Sequence, residues 1–161
     1  MKKVRDLMTK AVICCGQQSD LSEVATLMAT HNCGVIPVTN ENGKLVGIIT
    51  DRDICLILAE SGSDIIGYQV ENCMKTDLHT CHPEDNVNMA LKTMQTAKVK
   101  RLPVVDQNHI IKGIISLNDI LFFTQSNEAL ETAAVIPTNN VLKVMLEIYR
   151  SAVSYATMNN S

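Results

Sequence analysis

Gly47-Ile48-Ile49-Thr50-Asp51-Arg52-Asp53-Ile54 returns sixty-six residues later as Gly113-Ile114-Ile115-Ser116-Leu117-Asn118-Asp119-Ile120. Each copy is a glycine, two β-branched residues, a hydroxyl residue, two variable positions and then Asp-Ile. The pattern predicts a strand that turns directly into a helix. The hydroxyl sits near the helix N-cap and the carboxylate lies in the first turn. Beside free backbone N–H groups, that pair forms a surface suited to a polyhydroxyl ligand and its phosphate.

The repeat extends well beyond these eight residues. At the same shift Val4 falls on Val70, Met8 on Met74, Cys15 on Cys81, Met28 on Met94 and Pro37 on Pro103. Apolar character persists where identity fails, with Val12 on Leu78, Leu21 on Val87 and Ile36 on Leu102. The chain is therefore read as a tandem duplication. One repeat begins with a short lead-in helix over Val4–Met8 and an extended segment at Val12-Ile13. Ser19 or Asp20 then caps a helix from Leu21 to about His31. Strands over 35–38 and 45–50 flank the Asn42-Gly43 turn, with Pro37 implying an edge position or a bulge. A helix follows over 51–60. The second repeat predicts a lead-in at 70–74, a helix over 87–97, strands over 101–105 and 110–116, and a helix over 117–124.

The fold class is α+β, with β-α-β-β-α occurring twice. A unit of about 55 residues cannot bury both faces alone, so two units should pack as an intimate pair. The domain reading is 1–62 for the first repeat, 63–126 for the second and 127–161 for a helical extension. That extension predicts a short helix over 127–134 and a longer one over 141–157. The apolar stripe of the longer helix either folds back on its own chain or packs against a second subunit.

Composition narrows the classes. The chain has 161 residues, 46% hydrophobic and 19% charged, with no Trp, two Phe and three Tyr, so its core is aliphatic. A net charge of −3 argues against nucleic acid as the main partner. Arg5, Asp6, Thr9 and Lys10 break any signal-peptide core, and no apolar run approaches the roughly 20 residues of a membrane span. The expected setting is cytoplasmic, without a membrane. Six cysteines form no C-x-x-C pair. His79-Thr80-Cys81-His82 lacks a second ligand pair at zinc spacing, so no metal is assigned. No Ser/His/Asp arrangement, activated cysteine or P-loop is evident, which argues against an enzyme.

The duplicated Gly-h-h-Thr/Ser-x-x-Asp motif, the upstream h-Pro-Val strands and the lead-ins ending in Met resemble the CBS domain family, over about Val4–Thr124. Two such domains in tandem form a Bateman module. The resemblance implies regulation: binding of AMP, ADP, ATP or S-adenosylmethionine in clefts between the repeats, with occupancy passed to a protein partner that the sequence does not name. It also implies a homodimer formed through the CBS helices, with the C-terminal helix as a further candidate. The alternative is a structural dimerisation module with weak or lost ligand binding.

Carried over by position, the resemblance implies one site from Thr50, Arg52, Asp53, Leu78, Lys100, Arg101 and Pro103. It implies another from Ser116, Asp119, Val12, Gly34, Val35 and Pro37. The carboxylates would accept ribose hydroxyls. With Arg52, Lys100 and Arg101 assigned to the Asp53 site, that site is expected to favour phosphate and the Asp119 site a more neutral ligand.

Overall fold

The computed structural model describes residues 2–62, 65–124 and 137–158, with side chains up to Arg150. The elements are α1 (Val4–Leu7), β1 (Cys15–Gly16), α2 (Leu21–Thr30), β2 (Val35–Thr39), β3 (Leu45–Thr50) and α3 (Asp51–Ser61) in the first repeat. A 3-10 turn (Val70–Asn72) opens the second, followed by α4 (Val87–Ala97), β4 (Arg101–Val105), β5 (Ile111–Ser116) and α5 (Leu117–Thr124). A final helix, α6 (Thr138–Met158), completes the described chain. The short helix expected over 127–134 lies outside the described residues.

Local chemistry accounts for most boundaries. Asp20 caps α2 by accepting from the Ser22 N–H at 2.8 Å. Between β2 and β3 the Asn40 side chain accepts from the N–H groups of Asn42 and Lys44, both at 3.0 Å. Gly43 takes φ +73 there, a left-handed conformation that glycine adopts without steric cost.

One expectation needs correction and one alternative is decided. The first strand is Cys15–Gly16 rather than Val12-Ile13, and in the second repeat it shrinks to a single parallel bridge between Cys81 and Val104. Of the two readings of Pro37, an edge position or a bulge, the structure has the bulge, since β2 is the middle strand in the order β1-β2-β3. β1 pairs with β2 only at Val38 and Thr39, so Pro37 lies just outside that pairing. The register shift between Val38 and Thr39 adjoins it, as a proline in an inner strand requires.

The chain forms two compact units that do not follow the repeat boundaries. One holds residues 1–10, 79–106 and 112–161, and the other holds 11–78 and 107–111. Each repeat's lead-in thus serves the unit built on the other repeat's sheet. In the first unit Val4 N–H donates to Asp85 O at 2.9 Å, Arg5 N–H to Pro83 O at 3.0 Å and Val87 N–H to Lys2 O at 3.2 Å. In the second, Val70 N–H donates to Ser19 O at 3.0 Å, Glu71 N–H to Gln17 O at 2.8 Å and Leu21 N–H to Tyr68 O at 2.8 Å. Every residue in the second set is the sixty-six-residue counterpart of one in the first. Thr9 then bridges Ile114 and Lys75 bridges Ile48, again as counterparts.

This exchange explains the motif glycines. A Cβ on Gly113 would lie 2.7 Å from Met8 Sδ and 2.8 Å from Thr9 O. A Cβ on Gly47 would collide with Met74 Sδ and lie 2.9 Å from its Cγ. The lead-in methionine needs a bare strand to cross, so Met and Gly recur together in both repeats.

Each unit has its own aliphatic core. In the second unit Leu21, Val24, Ile36, Val38, Ile49 and Val70 are fully buried. In the first, Val4, Val87, Met94, Leu102, Val104, Ile115 and Ile120 cluster with Val141, Val144 and Ile148 of α6. Of the α6 stripe, Val141, Val144 and Ile148 therefore pack on their own chain. At about 1.5–3 kcal/mol per buried aliphatic side chain, these three contacts are a substantial part of that core.

Candidate functional site

Each motif turn is built as a reciprocal capping box. Thr50 is the N-cap of α3, and its Oγ1 accepts from the Asp53 N–H at 3.2 Å. Asp53 Oδ2 accepts in return from Thr50 N–H at 3.0 Å and from Thr50 Oγ1–H at 2.6 Å. In the other repeat Ser116 Oγ accepts from the Asp119 N–H at 3.2 Å, and Asp119 Oδ2 accepts from Ser116 N–H and Oγ–H, both at 2.7 Å. Such boxes stabilise helix starts without any ligand, so only the other carboxylate oxygen, Oδ1, is left to distinguish the two copies.

Asp53 Oδ1 is taken. Lys75 Nζ lies 2.7 Å from it, delivered by the exchanged lead-in. Asp53 is the buried charged residue of this unit, only 8% exposed. Burial pushes its carboxyl upward, but the bonds from Lys75 and Thr50 outweigh that and hold it below the usual aspartate value. Asp119 is half-buried, and no cation pairs with it among the described residues. The sequence reading missed Lys75. Its repeat counterpart is Thr9, so no recurrence marks it, and its contact with Asp53 follows only from the lead-in exchange.

A pH prediction follows. Because the folded-state pKa of Asp53 is depressed, its stabilisation is complete above the unfolded value near 3.8 and is lost as pH falls through the folded value. In Lys75→Met, burial is opposed by Thr50 alone, so the acid-unfolding limb should move to higher pH. Stability at pH 7 should fall by about 0.5–1 kcal/mol, since the Lys75 side chain is 59% exposed and well screened. Urea unfolding from pH 3 to 7 checks this, and an unmoved acid limb would contradict it.

The remaining candidate residues fall in their own units. Val35 pairs with Thr50 and Pro37 with Ile48 in the β2–β3 register. Gly34 O accepts from Asp51 N–H at 3.3 Å, and a Cβ on Gly34 would come 2.7 Å from Asp51 Oδ2. Arg52 is exposed, while Val12 and Leu78 are half-buried. Pro103 is buried and its carbonyl accepts from Cys81 N–H at 3.1 Å.

Lys100 and Arg101 lie on the hairpin that carries Ser116. Lys100 O accepts from Leu117 N–H at 3.0 Å. A cavity of about 200 Å³ is lined by Lys100, Arg101, Ser116, Leu117, Asn118, Met145 and Tyr149. The cationic pair assigned from sequence to the Asp53 turn thus stands beside the Ser116 turn. Tyr149 and Met145 were also missed, because nothing in the repeat pattern extends to α6.

Cys81, in the segment that invited a metal reading, is buried and its thiol is pushed up to about 12 by burial and by Asp85. Among the described residues no group of three or more His, Cys, Asp or Glu could hold a metal ion. No described helix is long and apolar enough to cross a membrane.

Known proteins carry the same architecture. CBS domain-containing protein YhcV of Bacillus subtilis is 38% identical over 134 residues, 83% of this chain and 93% of that protein. Homoserine O-acetyltransferase of Methanococcoides burtonii is 35% identical over 117 residues, 73% of this chain but only 23% of the enzyme. Among solved structures, the CBS domain pair of protein MJ0100, in complex with 5′-methylthioadenosine and S-adenosyl-L-methionine, superposes with a TM-score of 0.70 at 30% identity, covering 78% of this chain and 99% of that one. The CBS domain itself matches twice, at residues 4–60 and 70–125. With both repeats matched and both motif turns intact, the chain belongs to the CBS domain family.

Proposed function

We propose that this chain is a regulatory module that binds an adenosine-containing ligand at its motif turns and transmits occupancy to a protein partner, without catalysing a reaction itself. The observation that carries this reading is the duplicated hydroxyl–carboxylate turn, closed in the same way by Thr50/Asp53 and Ser116/Asp119. The adenosyl compounds held by the MJ0100 pair support the ligand class. The enzymes that share this region are about four times its length, which supports a regulatory rather than catalytic role for the shared part.

The Asp119 turn is the stronger of the two. Its Oδ1 is open to a ribose diol, whereas Asp53 Oδ1 would have to share with Lys75. Lys100 and Arg101 beside Ser116 add phosphate affinity. This reverses the order expected from sequence. The exposed apolar residues Leu56, Met89 and Phe122 on α3, α4 and α5 support association with a second copy.

Calorimetric titration with AMP, ATP and S-adenosylmethionine tests the reading. Asp119→Ala should weaken binding of the preferred ligand by roughly 10–100-fold, the scale of a hydrogen bond to a charged group, and Asp53→Ala by less. Wild-type protein that binds none of the three would leave the structural dimerisation reading in its place.

A further inference from the structure

We propose that α6 turns the Ser116 cavity into a receptor for a phosphate-bearing ligand, so that docking of α6 and binding of the anion reinforce each other. Lys100 and Arg101 line this cavity side by side, and neither has an ion-pair partner among the described residues. Two adjacent unneutralised cations in a concave site attract an anion. Tyr149 of α6 holds the Lys100 ammonium 3.9 Å from its ring centroid, a cation–π contact that fixes where the charge points. Met145, one turn earlier on α6, forms the apolar part of the same wall. The helix is held by Val141, Val144 and Ile148, each buried in the core of the unit.

Ser116 refines the ligand class. Its hydroxyl proton is committed to Asp119 Oδ2, and its oxygen accepts from Asp119 N–H. Contacts to the anion therefore fall to Lys100, Arg101 and the Asn118 amide, while Asp119 Oδ1 next door suits a sugar hydroxyl. The matching place in the other repeat is built differently. Gly34, Val35, Asp51 and Arg52 stand where Lys100, Arg101, Leu117 and Asn118 do, and the Asp51 carboxylate occupies the space beside Gly34. Among the described residues that acidic position has no counterpart of Tyr149, so the anion receptor belongs to the unit that carries α6.

For the adenosyl part of the ligand this rests on the function proposed above, but the anion receptor stands on the cavity alone. Coupling must be reciprocal: an anion that binds better with α6 docked holds α6 down. The test is hydrogen exchange of the α6 amides over 140–150, with calorimetry, using AMP, adenosine and inorganic pyrophosphate as probes. AMP should slow exchange in α6 and adenosine should not. Tyr149→Leu should weaken AMP about tenfold while leaving adenosine within about twofold, and Tyr149→Phe, which keeps the ring, should restore AMP binding. If AMP and adenosine bind but α6 exchange is unchanged, or Tyr149→Leu binds AMP like the wild type, the inference is overturned while the adenosyl reading stands. If neither binds, the adenosyl reading fails. Slower α6 exchange with pyrophosphate would then still uphold the receptor, and no change would overturn it too.

Discussion

Gly113→Ala lowers the free energy of unfolding by about 2–3 kcal/mol, and Gly47→Ala by about 1 kcal/mol, although the two glycines are repeat counterparts. The difference lies in what the new methyl meets. At Gly47 the nearest atoms all belong to the Met74 side chain, whose three rotatable bonds let it swing aside. At Gly113 the methyl meets both Met8 and the backbone oxygen of Thr9. That oxygen accepts from Ile114 N–H at 3.0 Å, so displacing it strains the bridge that holds the lead-in on β5. A double-mutant cycle separates the two cases. Met74→Ala should largely rescue Gly47→Ala, whereas Met8→Ala should rescue Gly113→Ala only in part. Equal losses at the two glycines in urea unfolding, or full rescue at both, would sink this account.

Val144→Asp is expected to cost about 3–5 kcal/mol and to remove much of the helical circular dichroism of α6. Val144 is 5% exposed among Val87, Leu91, Met94, Ile120 and Phe123. An ionised carboxylate there would stand in an aliphatic cluster that solvates charge poorly. The least costly response is for the whole helix to leave the core, so the loss is limited by what docking contributes. Once undocked, a helix of 21 residues without tertiary support holds only part of its structure. Leu146→Asp, on the exposed face of the same helix, should stay within about 0.5 kcal/mol of the wild type. If both variants lose the same helicity, packing through Val144 is not what holds α6.

Helix limits were legible because their signals are local. Asp20 at the N-cap of α2, and Thr50 before Asp53 at that of α3, mark starts that depend on neighbours within three residues. The duplication gave the order of elements, since recurrence needs no knowledge of contacts. What escaped was set by distant partners. The position of β1 escaped because it is set by pairing with Val38 and Thr39 of β2, more than twenty residues away. Lys75 reads as a solvated lysine until the lead-in exchange brings it to Asp53. Lys100 and Arg101 line a cavity with Ser116 and Tyr149, an arrangement that depends on the hairpin closing and on α6 docking, neither of which the repeat pattern displays.

The exchange of lead-ins also sets an order of events as the chain is made. Nearly all of the second unit is encoded by residues 11–78, so it can begin to close early. Residues 2–10 have no place in that unit. Their hydrogen-bond partners lie at 83–87 and at Ile114, so this segment must wait until about a hundred further residues have followed it. At typical synthesis rates that wait is on the order of ten seconds. During it Val4, Leu7 and Met8 are unpaired, and the late-made unit stays open at the strand that Thr9 will bridge. Damage to residues 2–10 should therefore show itself in the unit built on 79–106, far downstream of them.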